Sequence, residues 1–100
     1  MDISYSKLCR IRDIINDYDP EDYCAPLDEY YESVDKIVAE IESAEIESVK
    51  KVIFDIWGYL TDIVDSKERF IQKLENISIE ISTCLISNNW NYFALALHEL

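Results

Sequence analysis

Gly58 is the only glycine in this chain, and Pro20 and Pro26 are its only prolines. Tight strand-to-strand turns draw on glycine for positive backbone φ, so a protein of many short strands is hard to build from such a sequence. A few long helices remain, and the apolar residues are spaced for them. From Ile3 to Ile15 the stripe is Ile3, Leu8, Ile11, Ile14 and Ile15. After Pro26 it is Leu27, Tyr30, Tyr31, Val34, Ile37, Val38 and Ile41, the cleanest amphipathic pattern in the chain. Beyond Ser43, a plausible cap, Ile46, Val49, Val52, Ile53, Ile56, Trp57, Leu60 and Ile63 share a side. After Asp65-Ser66-Lys67-Glu68, which resembles a capping box, Phe70, Leu74, Ile77, Ile81, Cys84 and Leu85 form a fourth stripe that Ile71 and Ile79 widen.

These patterns predict an all-α fold. It is an antiparallel bundle of four helices near 3–17, 26–42, 45–63 and 66–86, with a short C-terminal helical segment near 90–98, in one domain over residues 1–100. Pro20 ends the first helix and pushes Asp19 out of the helical region, leaving Asp19 to cap a short turn through Glu21, Asp22 and Tyr23. Gly58 costs about 1 kcal/mol inside a helix, and close packing against a neighbour would explain it. Trp90, Phe93, Leu95 and Leu97 either close the bundle or form a dimer contact, so a monomer or weak homodimer is expected.

Charge is the second constraint. Between Asp17 and Glu47 there are twelve acidic side chains against Lys36 alone, which places eleven of the twelve net negative charges in that stretch. Such clustering works against compaction, and a basic partner relieves it. Phosphate backbones demand Lys and Arg, and the nine present are scattered, so neither nucleic acid nor an anionic membrane surface is an expected partner. The N-terminal stretch has charges where a signal peptide needs an apolar core. Cys9, Cys24 and Cys84 are odd in number and outside any zinc spacing; buried free thiols and a cytoplasmic location are expected.

Catalytic hardware is sparse. His98 is the only histidine, which leaves Cys24 with a single imidazole as a base. No phosphate-binding loop or zinc-protease motif occurs, and neither an enzyme nor a cofactor is expected. Asp17, Asp19 and Glu21 are spaced like the start of a calcium loop. However, Asp22 stands where that loop needs Gly, and Asp28 stands where it needs Glu. A calcium module therefore stays an alternative, as does an acidic structural or regulatory subunit.

The run Ile14-Ile15-Asn16-Asp17-Tyr18-Asp19-Pro20, followed by an acidic loop and Asp28-Glu29-Tyr30, resembles the YugE-like family of small bacterial helical proteins of unknown function. That family carries Trp where Tyr18 stands, and the resemblance implies a fold and no activity. In size, acidity and paired tyrosines the chain is also similar to bacterial immunity proteins, although Leu27-Asp28-Glu29-Tyr30-Tyr31-Glu32 lacks the proline of the nuclease inhibitors' signature. This second likeness implies a protein that neutralises a cognate toxin nuclease. The expected contact residues are Asp17, Tyr18, Asp19, Glu21, Asp22, Tyr23, Asp28, Glu29, Tyr30, Glu32 and Asp35, with no metal among them.

Overall fold

The computed structural model describes residues 2–21 and 30–87. Among these residues are four α-helices: α1 (Tyr5–Tyr18), α2 (Tyr31–Glu40), α3 (Ile46–Trp57) and α4 (Lys67–Ile86), with a 3-10 turn at Gly58–Asp62 extending α3. Among the described residues there is no strand. The expected segment near 90–98, Trp90 to Leu97 with it, lies outside the described residues, as do residues 22–29.

α1 and α4 begin with serine caps. Ser4 Oγ accepts from the Lys7 amide at 3.3 Å and starts α1. Ser66, rather than Asp65, caps α4, its Oγ accepting from the Arg69 amide at 3.3 Å. Before α3 two hydrogen bonds form a short chain through Ser43. The Glu45 amide donates to Ser43 Oγ at 3.3 Å, and the Ser43 amide donates to Ser48 Oγ at 3.2 Å. Ser43 thus holds the α2–α3 turn without being the cap residue itself, which is Glu45.

α4 packs against both α1 and α3, and α2 joins α1 to α3. The helices alternate in direction: Lys7, early in α1, reaches the Leu85 carbonyl near the end of α4, and Tyr18, at the end of α1, reaches Glu80. The core takes Ile11, Ile14 and Ile15 from α1, Val34 and Ile37 from α2, Val49, Val52, Ile53 and Trp57 from α3, and Phe70, Leu74, Ile77, Ile81 and Leu85 from α4. Two serines are buried with them. Ser78 Oγ donates to the Leu74 carbonyl at 2.8 Å, and Ser82 Oγ donates to the Ala44 carbonyl at 2.6 Å, which ties α4 to the α2–α3 turn. Their small side chains let α4 lie close to its neighbours while each hydroxyl stays satisfied.

Several sequence expectations change. α3 stops at Trp57 and tightens into the 3-10 turn, which rotates the following residues off the stripe; Ile63 is 68% exposed. Among the described residues a Cβ on Gly58 would meet only Phe54 atoms at 3.9 and 4.0 Å, an ordinary contact, so close packing of the described helices does not account for that glycine. Ile79 faces outward rather than widening the α4 stripe. Cys9 and Cys84 are free thiols, half-buried rather than buried, and burial pushes the Cys84 thiol pKa up while Lys7 and Arg10 oppose the shift.

Candidate functional site

The acidic segment after α1 turns inward at its start. Asp19 closes α1 in the left-handed region, φ 50° and ψ 60°, with its amide donating to the Ile15 carbonyl at 2.8 Å. A residue before proline is driven out of the right-handed helical region. Asp19 answers by going left-handed, which Asp tolerates better than most residues. The reversal buries Pro20 and aims the carboxylates of Asp19 and Glu21 back at the bundle.

There they meet Tyr30 and Trp57. The Tyr30 hydroxyl donates to Asp19 Oδ1 at 2.5 Å and accepts from the Glu21 amide at 2.7 Å. Glu21 Oε2 accepts from the Trp57 indole N–H at 2.8 Å. The two rings meet edge to face, with centroids 6.2 Å apart and planes at 75°. Tyr30 is 3% exposed and Trp57 fully buried, so both rings need hydrogen-bond partners, and the acidic turn supplies them. Burial, with the Asp19 hydrogen bond adding to it, holds the Tyr30 hydroxyl far above the ordinary tyrosine range. Tyr18 is anchored in a similar way. Its hydroxyl donates to Glu80 on α4, and that bond, with partial burial, raises its pKa as well.

The expected contact residues therefore separate into groups. Tyr30 is a core residue, as its place on the apolar stripe predicts, rather than the surface contact also expected of it. Asp19 and Glu21 are half-buried acceptors for core donors, and Tyr18 is half-buried against α4. Asp17, Glu32 and Asp35 are exposed. Asp22, Tyr23, Asp28 and Glu29 lie outside the described residues, as do Cys24 and His98. Among the described residues no three His, Cys, Asp or Glu side chains come together in a metal-binding group.

Exposed acids continue past α2. Glu40, Glu42, Glu45 and Glu47 all face solvent, and Lys36 is the one cation between Asp17 and Glu47. Sequence spacing placed Tyr31 on the core stripe with Tyr30; it is 64% exposed instead. No helix among the described residues is long and apolar enough to cross a membrane. Comparison with family models, curated proteins and solved structures found no match to the chain.

Proposed function

We propose that this chain is a non-catalytic binding protein of the immunity or antitoxin type, which neutralises a basic, nuclease-type toxin in a bacterial cytoplasm. The observation that carries the reading is the set of exposed acids Glu32, Asp35, Glu40, Glu42, Glu45 and Glu47, among which Lys36 is the one cation in sequence. A nuclease cleft is electropositive because it holds phosphates, and a concentration of exposed carboxylates matches that field. Complementary potentials speed the encounter and penalise wrong partners.

Plain solubility would not require these acids to be fixed in space. Here the same acidic block folds Asp19 and Glu21 onto Tyr30 and Trp57, so α2 starts from an anchored point. A pre-ordered surface loses less entropy on binding. The reading needs no cofactor, metal, nucleic acid or membrane, and the YugE-like likeness belongs to it only as a resemblance of fold.

Immunity genes sit beside the toxins they neutralise, so the test starts from the adjacent open reading frame. Its product is expected to be basic, to degrade nucleic acid when purified alone, and to lose that activity when this chain is added at equal concentration. A neighbour that neither binds the chain nor is inhibited by it contradicts the proposal.

A further inference from the structure

The C-terminal end of α2 is built against its own electrostatics. The last turn of a helix carries the negative end of the dipole and leaves its final carbonyls without helical amides, so cations stabilise it and acids do not. α2 closes where the Ile41 amide donates to the Ile37 carbonyl at 3.0 Å, and its last turn holds no basic side chain. Glu40 is instead its final residue and Glu42 follows the cap, both exposed. Neither carboxylate serves the helix, and local rules broken in this way concentrate at functional places.

Beside these acids, between the end of α2 and α3, lies a cleft of about 540 Å³, within the range of roughly 300–1,000 Å³ that ligand clefts occupy. Buried Ile41 and Val52, with Ala39, give it apolar walls. Glu40, Glu42 and Asp55 bring three carboxylates to it against the ammonium of Lys51, which leaves two negative charges in excess. Lys51 Nζ lies 3.5 Å from Asp55 Oδ2, so that pair offsets itself and the excess belongs to Glu40 and Glu42. An occupant complementary to this lining is a cation on an apolar stem. A bare metal ion leaves the apolar walls uncovered, and no three His, Cys, Asp or Glu side chains among the described residues form a metal-binding group. Arginine fits both features. Its methylenes cover apolar surface, and its weakly hydrated guanidinium offers five donors to several acceptors at once.

We infer that this cleft takes an arginine side chain of the partner protein, its guanidinium against the Glu40 and Glu42 carboxylates and its stem along Ile41 and Val52. The inference rests on the proposed function for the basic character of the partner, and it names the place where that partner is gripped.

Amide correlation spectra of the labelled full-length chain, titrated with the peptide acetyl-Gly-Arg-Gly-amide, test it. Saturable shift changes are expected at residues 39–42 and 48–52. They should be absent with the citrulline peptide, which keeps the shape and lacks the charge, and binding should weaken about tenfold or more in Glu40→Gln/Glu42→Gln. That variant should melt at or above the temperature of the parent chain, because it removes acids from a helix C-terminus. Changes scattered away from the cleft, an equal response to the citrulline or lysine peptide, or a lower melting temperature of the variant would each overturn the inference. The peptide readout does not depend on the toxin. Saturable arginine binding with an adjacent gene product that is not inhibited upholds the cleft while the immunity reading fails. Inhibition of that product with equal affinity by the parent chain and Glu40→Gln/Glu42→Gln overturns the cleft while the immunity reading stands.

Discussion

Removing the Tyr30 hydroxyl takes a donor from the Asp19 carboxylate and an acceptor from the Glu21 amide. Tyr30→Phe is expected to cost about 1.5–3 kcal/mol, the range for hydrogen bonds to charged groups. Tyr31→Phe should stay within about 0.5 kcal/mol, as surface changes do. Urea midpoints of the two variants check this, and equal midpoints would contradict the network. The same hydroxyl predicts an alkaline limit. Its folded pKa lies above its unfolded value of about 10. The unfolded chain therefore releases this proton first, and stability present below pH 10 falls as pH rises further, by at most about 1.4 kcal/mol per pH unit from this group. Tyr30→Phe should flatten that fall. The opposite fates of the two tyrosines were not legible in spacing alone, because both satisfy the step to Val34. Tyr30 is the residue before α2, with φ −104° and ψ 13°, so the helical wheel does not set its direction.

Helix number and type followed from periodicity, and α1 and α4 match their expected spans to within two residues. Ends were harder to read. The α3 stripe continues in sequence through Leu60 and Ile63, but the backbone changes to 3-10 geometry at Gly58. Nothing in apolar spacing distinguishes the two helix types over a single turn. Because Gly58 has right-handed helical angles, φ −58° and ψ −29°, and a Cβ there would make only an ordinary contact with Phe54 among the described residues, no steric need for glycine is seen among them. Gly58→Ala is expected to stabilise the protein by about 0.5–1 kcal/mol through the unfolded chain's lost freedom. A thermal melt at lower temperature than that of the parent chain would show that the 3-10 turn depends on glycine. The buried serines of α4 were also missed. Ser78 and Ser82 lie outside the apolar stripe named for α4, and only the packed structure shows the Ala44 carbonyl that accepts from Ser82.

Over the whole molecule, the acidic block was visible in the sequence, but its division was not. Asp19 and Glu21 turn inward because a left-handed residue before Pro20 reverses the chain, whereas Glu32 to Glu47 stay outside. Repulsion among the outer carboxylates is screened over about 8–10 Å at moderate salt, so melting temperature should rise from low ionic strength to about 0.15 M. A fall would mean that attractive pairs dominate the surface. In the proposed function, the outer acids steer the chain to a basic partner. The direct measurement is the association rate with the adjacent gene's product across ionic strength, for the parent chain and for Glu32→Lys/Asp35→Lys. The rate is expected to fall steeply with salt and to drop about tenfold or more in the variant, with a weaker salt dependence remaining. A rate indifferent to both salt and charge reversal would contradict it.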